Sequence, residues 1–238
     1  MIEIIAEIGI NWNGDMDLLK ELIFQAKECG ANMAKTQLYS PSKLFPAKEI
    51  LVDGKNWYSE VEKTEMSKSQ LYQFIEWCRE AEIEPIASAF DTERLSWLDY
   101  GVKKHKVASI FNRNKEYIDA VIATGKEVLL SCRDRTNTYH PPIQFREKIK
   151  YLYCIPKYPT LLTDLKFSRI GFMGHYQGLS DHSEGIEASM VAMSRGATII
   201  EKHFCLERDN SNPDMICSIE PAELRQLVDF ARKVEMIL

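Results

Sequence analysis

At 238 residues, with 45% hydrophobic and 27% charged residues, the chain has a globular composition and length enough for one large domain or two small ones. A net charge of −5 gives no electrostatic footing for binding nucleic acid or an anionic membrane. No apolar run approaches the roughly 20 residues that cross a bilayer, and the opening MIEIIAEIG is short and acidic rather than leader-like.

The first strand-like run, 2–9, leads into DMDLLKELIFQAKECG, where Leu18, Leu19, Leu22, Ile23 and Ala26 recur at helical spacing up to Gly30. Further strand-like runs fall at 32–37, 84–90, 105–109, 127–131 and 150–155. The seventh is placed at 171–175, with a possible extension to Leu179, and the eighth at 198–204. Helical stripes occupy 67–82, 91–99, 113–124, 183–195 and 220–237. This alternation predicts an α/β fold, a single-domain (β/α)8 TIM barrel over residues 1–238. A doubly wound open sheet is the competing architecture, but no G-x-G-x-x-G follows the first strand.

Two segments break the regularity. The stretch from Leu38 to Ser67, with Pro41, Pro46, Gly54 and Trp57, has a length usually reserved for functional or mobile loops. In 132–148, Pro141 and Pro142 leave room for only a short fifth helix. The six cysteines are scattered without a C-x-x-C pair, which fits a reduced cytoplasmic enzyme and makes structural zinc unexpected.

In such a barrel, side chains at the C-terminal strand ends face the active-site mouth. Those positions carry Glu7, Lys35, Gln37, Ser88, Asp91, Lys106, Ser109, Ser131, Tyr158, Ser180, His182, Glu201 and His203. Either lysine alone could be a partly exposed edge residue. Both together, with serines at matching strand ends, point to an anion site, phosphate foremost. His182 and His203 end adjacent strands, so they are either separate hydrogen-bonded core residues or a pair converging on one ion. Neutral imidazoles suit Mn, Fe, Co or Zn, and two protein nitrogens leave positions open for water and substrate. Glu7, Glu201 and Asp214 add carboxylates that either pair with lysines and cap loops or accept hydroxyls of a sugar. His105, His140 and His175 are expected to be structural.

The motifs resemble, in order, those of the sialic acid synthases of the N-acetylneuraminate synthase type. IAEIGINWNG is similar to A-E-I-G-x-N-H-N-G, GANMAKTQLY to G-A-x-x-V-K-F-Q, ASAFD to S-T-P-F-D, and HKVAS to Y-K-I-G-S. LLS resembles I-L-S-T-G, YCIPKYPT resembles C-x-x-x-Y-P-T, GLSDHS resembles G-x-S-D-H-T, and IIEKHF resembles V-I-E-K-H-F. NPDMICSIEPAEL is similar to G-P-D-H-x-x-S-L-E-P-x-E-L, so the series covers nearly the whole chain.

The resemblance implies a barrel that condenses phosphoenolpyruvate with a sugar aldehyde, usually an N-acylated aminosugar, to give a nonulosonic acid and phosphate. It implies that Lys35, Ser88, Lys106, Ser109, Ser131, Tyr158 and Ser180 hold phosphoenolpyruvate. His182 and His203 would hold a divalent ion, typically Mn2+, with Mg2+ or Co2+ as alternatives, and Glu7, Glu201 and Asp214 would contact the acceptor. Glu201 or Glu7 is the expected handler of the water proton. The family commonly adds a C-terminal antifreeze-like domain that closes over a partner subunit. Its absence before Leu238 suggests either a separate chain supplying it or acceptor recognition without it, with a homo-oligomer possible.

Four departures stand out: Trp12 for a histidine, Ile110–Phe111 for Gly-Glu, Cys132–Arg133 for Thr-Gly, and Pro156 for a polar residue. They are expected to surround the two substrates rather than the metal. Two rivals remain at this point, another metal-assisted aldolase or condensing enzyme on the same barrel, and a catalytically idle barrel that binds a sugar or protein.

Overall fold

The computed structural model describes residues 1–52 and 54–237; Asp53, inside the expected long loop, and Leu238, the last residue of the expected domain, lie outside them. Eight parallel strands close into a barrel: β1 (Glu3–Gly9), β2 (Met33–Leu38), β3 (Glu84–Ala89), β4 (Lys104–Val107), β5 (Glu127–Cys132), β6 (Ile149–Cys154), β7 (Gly178–Asp181) and β8 (Ile199–His203). Each strand pairs with its sequence neighbours, and β8 closes on β1 with Glu7 opposite His203. The (β/α)8 expectation holds.

Helices α1 (Met16–Glu28), α2 (Lys68–Glu80), α3 (Thr92–Trp97) and α4 (Lys115–Ala123) follow the first four predicted stripes. Asp15 caps α1 through its side chain, and Ser67 and Gln70 form a capping box on α2, which sets where each helix starts. The fifth connection contains only 3-10 turns, Arg135–Asn137 and Ile143–Lys148, as the proline pair requires. After a short helix α5 (Leu162–Leu165), α6 (Glu187–Ser194) and the long α7 (Pro221–Ile237) complete the outer ring.

One strand is misplaced by the sequence reading. Residues 172–175 form a turn, no strand forms over 171–175, and β7 begins at Gly178. Gly174 takes a φ of +106°, a left-handed backbone that a strand does not use. Gly178 itself sits so close to β8 that a Cβ there would collide with the Ile199 carbonyl. This close approach brings the ends of β7 and β8, and their histidines, together.

The barrel interior is layered. Ile5, Met33, Ile86, Leu129, Leu152 and Ile199 form a separate apolar cluster that plugs the barrel. Because side chains alternate faces along a strand, the next inward position on each strand is two residues further on. On these strands that position is Glu7, Lys35, Ser88, Ser131, Cys154 and Glu201. The plug therefore seals the floor, and a polar layer rests on it.

The segment after β2 is folded rather than loose. It carries helical turns at Pro41–Leu44 and Tyr58–Lys63 and a two-stranded ribbon, Leu51–Val52 with Lys55–Asn56. Ile10, Tyr39 and Val61 form a satellite cluster beneath it, packed by Leu44, Ile50 and Phe90.

Candidate active site

The polar layer encloses a cavity of about 260 Å3 at the C-terminal barrel mouth. Glu7, Lys35, Ser88, Lys106, Ser109, Ser131, Tyr158, Ser180, His182, Glu201 and His203 all line it. Of the residues that the resemblance assigns to the site, Asp214 alone lies off this wall, in an adjoining pocket that shares Gln37, Phe45, Phe90 and Tyr158 with it. Asp91 does not reach either. Its side chain caps α3 through the Arg94 backbone amide and pairs with the Arg94 guanidinium at 2.8 Å.

The charges are organised in a chain. Lys35 Nζ lies 2.7 Å from Glu7 Oε2 and 4.0 Å from Glu201 Oε2, while Lys106 Nζ lies 3.4 Å from Glu201 Oε1. Gln37 donates to Glu7 Oε1 at 2.6 Å, and Ser180 donates to Glu201 Oε1 at 2.8 Å. Burial works against the charge on Lys35, but Glu201 and Glu7 outweigh it and its pKa is raised. Burial likewise opposes ionisation of Glu201, yet Lys106, Lys35 and the Ser180 hydroxyl hold its pKa below the usual carboxylate range. Both groups are therefore charged at neutral pH.

Several polar atoms in this wall have no protein partner. The Ser88 and Ser131 hydroxyls and Glu201 Oε2 are buried and make no hydrogen bond. Buried polar groups are ordinarily satisfied, so unmet ones aimed at a cavity mark a place where something else supplies the partner. Ser88, Lys106, Ser109 and Ser131 come from consecutive strands β3 to β5 and their loops, which puts three hydroxyls and an ammonium group, the chemistry that suits an anion, on one side of the mouth.

The opposite side holds the histidines. Their ring centroids lie 5.5 Å apart. Tyr158 stacks on His182 at 4.1 Å and meets His203 edge-on at 5.7 Å. His182 Nδ1 is 3.0 Å from the Ile155 carbonyl, which only accepts, so Nδ1 carries the proton and Nε2 keeps its lone pair. The Tyr158 hydroxyl donates to that Nε2 at 2.9 Å. Burial pushes His182 down to about 4, and burial together with neighbouring His182 keeps His203 well below the ordinary range. Both rings are neutral, the form that ligates metals. His203 Nδ1 sits 3.3 Å from Asp214 Oδ2 without hydrogen-bond geometry.

Among the described residues, no group of three or more His, Cys, Asp or Glu gathers as a metal site. The chain thus fits a divalent ion only as a two-nitrogen centre with most positions open. Asp214 is pushed up to about 7 by burial and by the nearby Glu7, so it exchanges a proton near neutrality.

Sequence reasoning missed Cys154, Phe45 and Phe90 as cavity residues. Cys154 follows the period of two from Leu152 in the plug and was readable from that register. Phe45 arrives from the folded segment after β2, where no strand pattern points to it. The departures also sort differently from expectation. Trp12 and Cys132 are buried in the main core, and Phe111 packs on Phe90 and Tyr117. Arg133 is exposed and off the cavity wall, whereas Ile110 and Pro156 line it. Aromatic and thiol side chains replaced polar ones by turning into apolar packing.

The NeuB family model matches residues 22–238. An N,N'-diacetyllegionaminic acid synthase from Legionella pneumophila is 30% identical over 99% of this chain and 72% of its own. A pseudaminic acid synthase from Helicobacter pylori is 27% identical over 99% of this chain and 75% of its own. The crystal structure of an N-acetylneuraminic acid synthetase from Leptospira borgpetersenii, in complex with citrate, matches with a TM-score of 0.86 at 30% identity. That match covers 99% of this chain and 84% of the other. No helix among the described residues is long and apolar enough to cross a membrane.

Proposed function

Because the chain belongs to the NeuB family, we propose that its barrel mouth joins phosphoenolpyruvate to an aminosugar aldehyde, with the phosphate on the β3–β5 side and the aldehyde on the β7–β8–β1 side. The protein is a phosphoenolpyruvate-dependent condensing enzyme that forms a nonulosonic, sialic-acid-like acid and releases phosphate. The observation that carries the assignment of sides is the division of one cavity between unpartnered serines with Lys106 and a pair of neutral histidines.

Lys35 and Lys106 offset the charge of phosphoenolpyruvate, Ser88, Ser109 and Ser131 give its oxygens directional donors, and Ser180, whose hydroxyl donates to Glu201, holds that carboxylate in place. His182 and His203 would hold a divalent ion, and manganese is the ion that the resemblance to the family implies. When bound, that ion supplies Lewis acidity toward the aldehyde oxygen and a template for its orientation. Tyr158, stacked on His182, shields the Nε2 position until the site is loaded. Glu7 and Asp214 accept or donate hydrogen bonds to the acceptor's polar groups.

In the reaction, C3 of phosphoenolpyruvate attacks the aldehyde carbon, and water adds to the cationic C2. The tetrahedral product then expels phosphate by C–O cleavage. Glu201, ionised between two lysines, takes the proton of that water, and Lys106 stays beside the departing phosphate. Six buried, unpaired cysteines suit a cytoplasmic setting.

The test is phosphoenolpyruvate-dependent phosphate release with a panel of aminosugars and other aldehydes, with added manganese. His203→Ala should abolish metal-dependent turnover, and retained activity would remove it from the ion's ligands. Calorimetry that detects no phosphoenolpyruvate binding in the presence of manganese would instead favour an idle sugar-binding barrel.

A further inference from the structure

Beside the catalytic cavity lies a second pocket of about 300 Å3, which shares Gln37, Phe45, Phe90 and Tyr158 with it and carries Asp214 at its edge. Away from that edge the walls are Ile10, Tyr39, Leu44, Ile50 and Val61. The Tyr39 hydroxyl does not serve the pocket, because it bonds to the Val61 carbonyl at 3.2 Å and to Thr64. Tyr39 and Phe90 meet edge-on at 5.7 Å, and the satellite cluster they belong to is built separately from the main core. The pocket is therefore mixed where it opens on the catalytic cavity, with Gln37, Tyr158 and Asp214 beside Phe45 and Phe90, and apolar at its far end.

We infer that this annex binds an apolar acyl substituent of the acceptor sugar, and that it sets acceptor choice by the length and polarity of that substituent. The inference rests on the synthase reading above. An acceptor held by Glu7, Asp214 and the histidine side has its polar groups at the shared edge, so a substituent directed past Gln37 and Tyr158 enters the apolar part. The volume is several times the roughly 30 Å3 that one water occupies in the liquid, which leaves room for more than a single methyl group. An apolar site of this kind gains from each methylene it removes from water and rejects a hydroxyl it cannot partner.

The experiment uses N-acetyl, N-propanoyl, N-butanoyl and N-glycolyl derivatives of mannosamine and of a 6-deoxy-diaminohexose, with phosphoenolpyruvate and manganese. Initial phosphate release gives kcat/KM for each. In the preferred sugar series, kcat/KM should rise about fourfold per added methylene, the equivalent of about 0.8 kcal/mol. The glycolyl derivative should fall below the propanoyl one, which matches it in length. Leu44→Gln, from a half-buried turn, places an amide in the annex wall and should flatten the acyl series. A series already flat in the unaltered protein, or a slope that survives in L44Q, overturns the annex while leaving the synthase reading intact. No phosphate release with any derivative overturns the synthase reading itself.

Discussion

Strands β7 and β8 bury charge on both of their faces, and the two faces treat it differently. On the outer face, Lys202 and Asp181 lie fully buried, 3.4 Å apart. Asp181 Oδ1 accepts from the Ser183 amide and hydroxyl, Oδ2 accepts from Ser189, and Lys202 also donates to the Ser183 carbonyl. None of these side-chain atoms lacks a partner. On the inner face, Glu201 and His203 are buried as deeply, yet Glu201 Oε2 and His203 Nδ1 go without a hydrogen bond beside a cavity. A closed charge network fixes how two strands sit together. An open one, with its unmet atoms gathered around a cavity, is where a ligand completes the hydrogen bonding.

If the outer network is purely architectural, Lys202→Met should cost about 3–5 kcal/mol of stability, because it strands the Asp181 carboxylate in the interior. Urea unfolding measures this, and adding Asp181→Asn to the same chain should recover part of the loss, since the two residues act as one unit. The inner face should answer the other way. Lys106→Met leaves Glu201 still paired with Lys35 and Ser180, so unfolding should shift little. Its kcat/KM for phosphoenolpyruvate should fall by 10²–10³-fold, a loss of about 2.7–4 kcal/mol of transition-state stabilisation. A Lys106 variant that unfolds readily but keeps its catalytic efficiency would erase the distinction between the faces.

The same contrast explains what the sequence made legible. Strand ends were readable because the period of two puts Glu7, Lys35, Ser88 and Glu201 one step above the plug residues Ile5, Met33, Ile86 and Ile199. Lys202 and Asp181 were opaque, since alternation places them outward but cannot say whether an outward residue meets water or a helix. Ser189 on α6 decides it, and that contact is tertiary. The seventh strand failed for a related reason: GFMGH is as apolar as GLSD, and only the tight seat of Gly178 against β8 selects the later segment. Asp214 was a candidate carboxylate with no strand position to place it, and its seat in the adjoining pocket depends on a loop with no periodic signal.

His105 tests the outer face on β4, next to Lys106. Its ring is buried, both nitrogens lack partners, and burial with nearby Lys126 lowers its pKa to about 4, against the pull of Asp99. In the unfolded chain it titrates near 6.5, so between those values the unfolded state binds more protons. The full contribution of neutral His105 is present above pH 6.5, and stability falls as the pH drops through 4. His105→Leu should make that acid limb shallower, by up to about 3 kcal/mol, with unfolding followed at fixed pH values. An unchanged limb would mean that the ring is solvated and that the outer face is less tightly closed than Lys202 indicates.

The smallest change should be the most discriminating. Ser131 buries a hydroxyl that nothing in the protein satisfies, so its polar group is already desolvated without return. Ser131→Ala removes that burden and leaves a methyl group in a wall otherwise unaltered. Stability should stay level or rise by about 1 kcal/mol, while the KM for phosphoenolpyruvate rises roughly tenfold through the loss of one hydrogen bond to a charged ligand, worth about 1.5 kcal/mol. A purely structural serine would move both quantities in the damaging direction. Opposite signs in the melting curve and the KM are what an unpartnered hydroxyl reserved for phosphate requires.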